Sequence, residues 1–468
     1  MSKLRNRSLA QIWQNSYRCQ STEPRHLFSK LHHQFNEIPF NQVSKNTPKK
    51  LEEITAKSHR MLVDYGLIRP LHTGSFAFLP LAQRSLEKLQ FLIDQQMFKI
   101  GANKITLPTM TDGKLWKKSG RWKLINEELF KLKNRHDNDL VLGPTFEEAI
   151  TKMVADFGIV SSHDLPMKYY QISNKFRDEM RAKYGLIRSK EFVMKDLYTF
   201  DANLENAVET YELVNECYEE LFDKIGVPYV KVEGETGAIG GSMSHEYHFL
   251  SDIGQDDILK CQDCNFGSNS ELLKALEDKS KCPKCPKNEN SVHDCNLVNS
   301  KGIEVGHTFL LGDKYSKIFK ARFQGGQGKP EVLQMGCYGL GVSRILAASV
   351  EVLSSENCLV WPESIVPYKI AILAPKAGSK EDIATPEVFK LYDQLVNQNE
   401  YENDVIIDDR PSITVGKKLR DAKKLGYTYV ILFGKECIDA NNPVIELYHK
   451  NEMLKMPANQ VLFHLENK

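Results

Sequence analysis

The sequence is nearly without net charge: its 468 residues carry 62 lysines and arginines against 61 aspartates and glutamates, a formal charge of +1. Any contact with a nucleic acid must therefore use local basic surfaces, because there is no chain-wide positive field. Long apolar runs are also lacking, since no stretch approaches the roughly 18 residues that predict a membrane span. Only ten cysteines occur in this length. They are too few for a disulfide-dense scaffold, so a reducing compartment is expected.

Acidic residues are missing from the first 22 positions. The same stretch carries Lys3, Arg5, Arg7 and Arg18, together with serines and apolar residues at helical spacing. A basic, acid-poor, amphipathic start is typical of a mitochondrial transit peptide, and a disordered basic tail is the alternative. Residues 1–45 are therefore predicted to be a leader, and the mitochondrial matrix is the predicted location.

The remaining chain divides into two parts with mixed helix and strand patterns, which predicts an α/β (α+β) fold. The first part, residues 46–362, includes predicted helices at Leu86 to Ile100 and Leu204 to Ile225, and a strand at 103–110. In the second part, residues 363–468, strands and helices alternate. That alternation, over about 100 residues, predicts a separate α/β domain.

A cysteine-rich stretch, residues 259–299, lies inside the first part and has the composition of a small inserted module. Cys261 and Cys264 are separated by two residues, as are Cys282 and Cys285, and 17 residues lie between the two pairs. This spacing predicts a structural zinc site with four thiolate ligands. The alternative is a relic knuckle that no longer holds a metal.

The segment Lys175 to Phe200 has the pattern of a strand, a basic loop and a returning strand. Arg177 and Glu179 are two residues apart, so in a strand they would face the same side. A guanidinium can grip phosphate oxygens while a carboxylate accepts a hydrogen bond from the same ligand. From the residues alone, a salt-bridged surface hairpin is an equally good interpretation.

Two further segments have patterns that predict binding sites. Gly336, Gly339 and Gly341 allow a tight turn into a predicted helix, Val342 to Val350, with Arg344 in its first turn. Such a junction is common and has little meaning by itself. The stretch Leu142 to Thr151 contains Thr145 and Glu147, a pair that suits a helix start equally well.

Taken together, these segments resemble the class II aminoacyl-tRNA synthetases in their prolyl form. Lys175 to Phe200 is similar to motif 2, Met335 to Glu351 to motif 3, and Gly74 to Met110 to motif 1. The resemblance implies an antiparallel-sheet catalytic domain, a C-terminal anticodon-binding domain and a homodimer. It also implies the reaction: ATP with Mg²⁺ activates L-proline, and the prolyl group passes to tRNA(Pro). The leader and the short insert resemble the animal mitochondrial form.

The resemblance assigns a role to each motif residue. It implies that Arg177 holds the α-phosphate and the proline carboxylate, and that Glu179 accepts the adenine amino group. Phe192 would stack on the adenine, while Arg188 would bind the outer phosphates and Arg344 the γ-phosphate. Two departures concern the loop: Ala182 stands where the family often has Pro, and Lys190 stands where Arg is common.

The proline pocket is implied by other residues. Thr145 and Glu147 match the polar pair of the prolyl enzymes, which would receive the secondary ammonium. Phe146 stands where the family often has His, and it should point away from both if the stretch is extended. Glu304 and His307 would line the ATP and proline sites respectively, although either could be an ordinary strand residue.

The resemblance extends to the anticodon domain. There Asp409, Arg410 and Lys418 are predicted near the anticodon, although a charged helix face is usually just solvated.

Two other functions compete with this assignment. A catalytically inactive synthetase-like nucleic-acid-binding subunit would lack the ATP-contacting residues, yet Arg177, Glu179 and Arg344 are all present. A related enzyme charging threonine or glycine is disfavoured by the segments around Thr145 and His307. The space between motifs 2 and 3 holds only the cysteine-rich stretch, so the enzyme is predicted not to clear mischarged Ala-tRNA.

Overall fold

The structure is a computed structural model that describes residues 25–31, 56–261, 266–269, 282, 285, 297–438, 443–450 and 452–466. These residues form two compact units. The catalytic unit comprises the described residues of 56–367 together with 423–426. The C-terminal unit comprises 25–31, 368–422 and the described residues from 427 onward. None of the described helices combines the length and apolar character needed to cross a membrane.

The α-helices confirm the helices predicted from periodicity. In chain order they are α1 (Phe28–Leu31), α2 (Lys57–Asp64), α3 (Pro80–Lys99), α4 (Gly113–Ser119), α5 (Arg121–Leu124), α6 (Glu147–Asp156), α7 (Leu204–Ile225), α8 (Lys314–Phe319), α9 (Val342–Leu353), α10 (Thr385–Val396), α11 (Val415–Leu425) and α12 (Val461–Glu466).

The strands build one large sheet, one smaller C-terminal sheet and three minor ones. In chain order they are β1 (Ile68–His72), β2 (Ser75–Phe78), β3 (Asn103–Lys104), β4 (Met110–Asp112), β5 (Lys131–Lys133), β6 (Asp139–Leu142), β7 (Ile159–Val160), β8 (Met167–Phe176), β9 (Glu191–Asp201), β10 (Tyr229–Glu233), β11 (Met243–Leu250), β12 (Asp256–Cys261), β13 (Gly267–Asn269), β14 (Leu297–Gly312), β15 (Arg322–Gln324), β16 (Pro330–Val332), β17 (Gln334–Leu340), β18 (Ile370–Leu373), β19 (Val405–Asp408), β20 (Tyr429–Leu432), β21 (Val444–His449) and β22 (Glu452–Pro457).

The large sheet is the scaffold of the catalytic unit. Its nine strands run in the order β11-β10-β13-β12-β14-β17-β9-β8-β3, and β11 also pairs with β14. Most of these pairs are antiparallel; β3 with β8 and β10 with β13 are parallel. The central strand β9 is buried on both faces from Lys195 onward, because helices pack on one face and a second core fills the other. The predicted antiparallel-sheet catalytic domain is confirmed.

Local signals fix the ends of α7. The side chain of Asn203 accepts a hydrogen bond from the Asn206 amide, which caps the first turn. Gly226 ends the helix with φ of 78°, in the left-handed region that favours glycine. The predicted range Leu204 to Ile225 therefore matches the structure at both ends.

The strand predicted from residue 103 and ended by Pro108 is shorter than expected. β3 covers only Asn103–Lys104, the Ile105 amide still donates to the Tyr170 carbonyl at 2.8 Å, and the chain then leaves the large sheet. There the Leu107 amide donates to the side chain of Gln171 instead of a strand carbonyl, at 3.0 Å. Pro108 has no amide hydrogen and could not continue a ladder.

The C-terminal unit is an α/β domain, as predicted. Its sheet has the strand order β19-β18-β20-β21-β22. The first three strands are mutually parallel, and the last two return antiparallel. Their apolar side chains form one core with α10 and α12. β19 is the edge strand of this sheet.

Residues Arg25–Leu31 pack on that edge, and we call them the N-terminal clasp. Leu27 forms a parallel bridge with Ile407 of β19, and the Ile407 amide donates to the His26 carbonyl at 3.0 Å. Phe28 is only 3% exposed. Its ring shares a small cavity with the C-terminal core, and the Arg410 guanidinium lies 4.7 Å from the ring centre.

Polar contacts complete the clasp. The Asp409 carboxylate accepts from the Ser29 amide at 2.9 Å and from the Ser29 hydroxyl at 2.6 Å. Arg25 donates twice to Asp393, at 3.0 and 2.8 Å. These residues lie within the predicted leader, which stays a prediction, and the clasp contacts themselves were not predicted. The sequence could not show them, because the apolar partners of Phe28 lie more than 300 residues away.

Candidate active site

The strand, loop and strand predicted for motif 2 are β8, the loop after it, and β9. The two strands pair antiparallel from Met167 opposite Phe200 to Phe176 opposite Glu191. Arg177 and Glu179 lie beyond the end of β8, so the strand placement expected for them is wrong. The Glu179 amide donates to the Arg177 carbonyl at 2.8 Å, which makes a tight turn between the two side chains.

The Arg177 guanidinium is available for an anion. Among the described residues it forms no ion pair, and its nearest aromatic neighbour is Phe192, whose ring centre lies 5.3 Å away. Burial lowers the pKa of Arg177, and the positive charge of Arg344 lowers it further. Glu304 and Glu128 offset part of this effect. A polyphosphate between the two guanidinium groups would relieve their mutual repulsion further.

Glu179 and Arg188 lie between the two arginines and line two adjoining cavities. They form an ion pair, with Arg188 Nη2 2.6 Å from Glu179 Oε1. One cavity, of about 650 Å³, is also lined by Arg177. The other, of about 220 Å³, is also lined by Glu304 and Arg344. The predicted ATP-contacting side chains therefore meet along one cleft, unlike those of an inactive subunit.

A bulge in β14 brings Glu304 and His307 together. Tyr247 of β11 pairs with Gly306 while His248 pairs with Glu304, so one β14 residue is extra. The bulge places residues three apart on one face, where an unbroken strand would put them on opposite faces. His307 Nδ1 is then 2.9 Å from Glu304 Oε1.

These contacts set the charge of Glu304. Burial alone would raise the pKa of Glu304, but the His307 hydrogen bond and the charges of His307 and Arg344 hold it well below its usual range. Nε2 of His307 is buried and has no hydrogen-bond partner among the described residues. The ring of His307 is stacked on Phe309, with 3.8 Å between the ring centres.

Arg344 is held from two sides in the first turn of α9. Its Nε donates to the Ile187 carbonyl at 2.9 Å and its Nη1 to the Glu304 carbonyl at 2.8 Å. The strand before it needs a glycine, because a Cβ on Gly336 would lie 2.1 Å from the Tyr338 hydroxyl. The predicted glycine-led strand and helix are thus present, with α9 ending three residues later than expected.

Thr145 and Glu147 lie at the start of α6, not in an extended stretch. Glu147 is the first helical residue, where a carboxylate is favoured by the amide dipoles. Its side chain is fully buried, whereas Thr145 remains 8% exposed. The Thr145 hydroxyl donates to Glu147 Oε1 at 2.6 Å. Phe146 is packed in the core, and its amide donates to the Tyr198 hydroxyl.

Two partners of Glu147 have no signal in the sequence. Arg121 Nη1 lies 2.8 Å from Glu147 Oε2 and 3.1 Å from Glu148 Oε2. The Cys337 thiol donates to Glu147 Oε1 at 3.1 Å. Burial and the adjacent carboxylate raise the pKa of Cys337 well above its ordinary value, so the thiol stays protonated. A buried, protonated thiol of this kind packs as a small apolar side chain and is a poor nucleophile.

The three predicted anticodon residues are all engaged within the C-terminal unit. Asp409 binds Ser29 of the clasp. Arg410 pairs with Asp408 at 2.7 Å and with Asp421 at 2.9 Å. Lys418 is fully buried, and its ammonium group donates to the main-chain carbonyls of Ala374 and Asp408. Lys418 therefore cannot contact a nucleotide in this conformation. Its hydrogen bonds join the ends of β18 and β19.

Three of the four predicted zinc ligands are described, and they lie together. The thiols of Cys261, Cys282 and Cys285 are all within 4.8 Å of one another, and Cys261 Sγ is 3.6 Å from Cys285 Sγ. Four thiolates around one zinc ion at about 2.3 Å would be about 3.8 Å apart, so this spacing fits. Cys264 lies outside the described residues.

Comparison with known families matches both units. Residues 130–353 match the class II core domain of tRNA synthetases specific for G, H, P, S and T. Residues 369–468 match an anticodon binding domain.

Curated relatives share much of the sequence. The chain is 45% identical over 391 residues to a probable mitochondrial proline–tRNA ligase of Rattus norvegicus, covering 83% of this chain and 80% of the relative. A probable mitochondrial proline–tRNA ligase of Schizosaccharomyces pombe is 40% identical over 383 residues, covering 81% and 86%. Among solved structures, prolyl-tRNA synthetase of Cryptosporidium parvum with L-proline and AMP has a TM-score of 0.68 at 17% identity. The overlap covers 90% of this chain and 78% of that one, which shows a shared fold.

Proposed function

This chain belongs to the proline–tRNA ligase family, a branch of the class II aminoacyl-tRNA synthetases, and we propose that it joins L-proline to tRNA(Pro) in mitochondria. The observation that carries this proposal is the cleft between Arg177 and Arg344. The unpaired guanidinium of Arg177 and the anchored one of Arg344 line adjoining cavities that share Glu179 and Arg188. The nucleotide triphosphate would lie between the two arginines.

The first step is formation of prolyl-adenylate. The carboxylate of proline attacks the α-phosphate of ATP in line, and pyrophosphate leaves. Arg177 would hold the α-phosphate and the carboxylate together, while Arg344 would hold the γ-phosphate; Mg²⁺ that enters with ATP offsets the remaining charge. No side chain needs to act as a nucleophile, because positioning and charge neutralisation carry such reactions.

The adenosine end of ATP has its own partners. Phe192 presents a half-buried ring beside Arg177, which would stack on adenine. Glu179 would accept from the adenine amino group once ATP draws Arg188 away toward the phosphates. The existing Glu179–Arg188 ion pair keeps both side chains in place before ATP binds.

The second step transfers the prolyl group. The terminal 3′-hydroxyl of tRNA attacks the adenylate carbonyl, and AMP leaves. The proline ring nitrogen would be held by Thr145, which is 8% exposed and hydrogen-bonded to the fully buried Glu147. We assign His307 to the same pocket, where its buried Nε2 has no hydrogen-bond partner among the described residues.

The test is proline-dependent exchange of pyrophosphate into ATP by the purified full chain. Arg177→Ala should lower the exchange rate by at least about 1,000-fold, because a transition-state charge contact is lost. Arg135→Ala, in the exposed turn between β5 and β6, is the matched control and should retain the rate. A panel of amino acids should show exchange with proline alone. Near-normal exchange by Arg177→Ala would disprove the assignment of the cleft.

Anticodon recognition is assigned to the C-terminal unit, as the family match implies. We propose that Asp409 and Arg410 lie at the recognition surface, and that Lys418 supports that surface from within. The supporting observation is that Lys418 ties the carbonyls of Ala374 and Asp408 together beneath Asp409. Lys418→Met should reduce transfer of proline to tRNA while pyrophosphate exchange persists; loss of both would contradict the assignment.

A structural zinc ion is the second part of the proposal. Cys261, Cys282 and Cys285, with Cys264 as the fourth ligand, would hold it as thiolates. The ion would fasten the end of β12 to the residues that follow. Elemental analysis should find one zinc per chain, and Cys282→Ser should lose it. Its absence from freshly purified wild-type protein, prepared without chelator, would rule out the site.

Assembly and location follow from the same family. We propose a homodimer formed through α3 and its surroundings, in the mitochondrial matrix. Phe91 and Phe98 of α3 are 46% and 67% exposed, and such apolar exposure marks an interface. Light scattering should give a dimer for the wild type and a monomer for Phe98→Glu. A wild-type monomer at micromolar concentration would refute the proposed dimer.

A further inference from the structure

Arg121 lies behind the amino-acid pocket, in a position that the reaction described above does not use. It is the first residue of α5, directly after Gly120, whose φ of 84° turns the chain inward. Only 3% of Arg121 is exposed. Its guanidinium stands 5.0 Å from the centre of the Trp116 ring and reaches the start of α6. A buried guanidinium is retained only where a carboxylate balances its charge.

The carboxylate that balances it is Glu147. Arg121 Nη1 lies 2.8 Å from Glu147 Oε2, and both side chains are at most 4% exposed. The second oxygen of Glu147 accepts from the Thr145 hydroxyl and from the Cys337 thiol. Glu147 is therefore shielded from solvent, and its negative charge lies directly behind the Thr145 hydroxyl.

The state of Thr145 depends on this chain of contacts. Because its hydroxyl hydrogen points to Glu147, the Thr145 oxygen is left as an acceptor. One lone pair faces the Tyr198 hydroxyl at 3.3 Å, which leaves one for a ligand. A secondary ammonium carries two N–H donors and a positive charge. The Thr145 oxygen, with the ionised Glu147 carboxylate behind it, therefore stabilises a bound secondary ammonium. It would not stabilise an uncharged ring atom that has no N–H to donate.

Arg121 is what keeps Glu147 ionised. Burial alone would raise the pKa of Glu147, but the Arg121 charge and the hydrogen bonds from Thr145 and Cys337 hold it below its ordinary value. Glu148 shares the same guanidinium, and burial raises the pKa of Glu148 despite it. Without Arg121, a buried pair of carboxylates would bind protons. A protonated Glu147 could then give its hydrogen to the Thr145 oxygen and fill the acceptor position.

We propose that Arg121 is a positioning residue for amino-acid selection: it holds Glu147 charged and aimed at Thr145, so that Thr145 accepts from the ammonium of proline. This inference rests on the proposed function of the pocket. It makes Arg121 the third member of a buried relay with Glu147 and Thr145. The relay favours a cationic ring nitrogen over an uncharged ring of the same shape.

The probe for this relay is tetrahydrofuran-2-carboxylate, which has the shape of proline with a neutral ring oxygen. Arg121→Met should raise the KM for proline on the order of 100-fold, as expected when a buried charge partner is removed. The KM for ATP and the inhibition constant of the probe should each stay within about threefold of wild type. Arg121→Lys, which keeps the charge without the guanidinium fork, should recover part of the loss. Arg60→Met, which removes a surface ion pair with Glu356, is the control and should change none of these constants.

A double-mutant cycle separates the relay from general packing. In the Glu147→Gln background, adding Arg121→Met should raise the proline KM by less than about threefold, because the relay is already broken. If Arg121→Met weakens binding of proline, ATP and the probe equally, the proposal is overturned. It is also overturned if Arg121→Met raises the proline KM as much in the Glu147→Gln background as in the wild type. If Arg121→Met does not fold, the proposal is overturned when the single variants Arg121→Lys and Glu147→Gln each keep the wild-type KM for proline. Failure of the wild type to exchange pyrophosphate with proline would instead defeat the proposed function.

Discussion

Replacing Phe28 by alanine should open the N-terminal clasp without disturbing the catalytic unit. Phe28 is 3% exposed and fills a space lined by Leu373, Ile406 and Tyr427, so its removal leaves a cavity. A Phe-to-Ala change at such a site costs about 3–5 kcal/mol. Since about 1.4 kcal/mol is a factor of ten, the open form of the clasp should become about 100- to 4,000-fold more populated.

Hydrogen exchange followed by mass spectrometry measures this opening. The Ile407 amide donates to the His26 carbonyl, so it loses its partner whenever the clasp opens. In Phe28→Ala, exchange at Ile407 should accelerate by the same factor, about 100- to 4,000-fold, while peptides of β8 and β9 keep their rates. Phe463→Ala makes the same chemical change at a side chain that is 72% exposed, and should leave Ile407 unchanged. Unaltered exchange at Ile407 in Phe28→Ala would show that the clasp contributes nothing to the edge of the sheet.

Two further changes test the physical account of the catalytic core. Gly336→Ala should destabilise the catalytic unit by about 1–3 kcal/mol in urea unfolding, because the added Cβ would overlap the Tyr338 hydroxyl. Gly339→Ala, whose nearest new neighbour is Met194 Sδ at 3.7 Å, should be nearly neutral, and equal losses in both variants would contradict the steric argument. Burial raises the pKa of Asp201 from 3.8 to about 6, so its contribution to stability is complete below pH 4 and is lost as pH rises through 6. Asp201→Asn cannot ionise and should therefore gain about 2–3 kcal/mol relative to wild type between pH 4 and pH 7, whereas a constant difference across that range would refute the assignment.

The parts of the fold that could be predicted are those whose signals lie close together in the sequence. α7 is capped by Asn203 and ends at Gly226, so residues next to the helix determine both of its ends. β8 and β9 have the composition of strands around a basic loop, and they pair as expected. The resemblance to the prolyl synthetases then supplied roles for Arg177, Arg344 and Thr145.

Geometry that depends on distant partners could not be predicted. Arg177 and Glu179 were expected in a strand, but the chain turns after Phe176. Arg121 has no distinguishing pattern, since its partner Glu147 is 26 residues away and both are brought together by tertiary packing. The β14 bulge that joins Glu304 to His307 is likewise set by the neighbouring strand. Sequence periodicity shows which face of a helix or strand is apolar. It does not show which residues distant in the sequence come into contact.

The clasp also sets an order of events during folding. Ser29 and Asp409 are separated by 380 positions, so the clasp segment is synthesised long before the surface that it binds. Closing so long a loop is entropically expensive, and a contact of this kind forms late. Until it does, β19 presents unpaired amide and carbonyl groups along the edge of its sheet, where another chain could add a strand. A docked clasp therefore requires a chain synthesised through Tyr427, and chains stalled before Leu373 would leave Phe28 without its apolar cover.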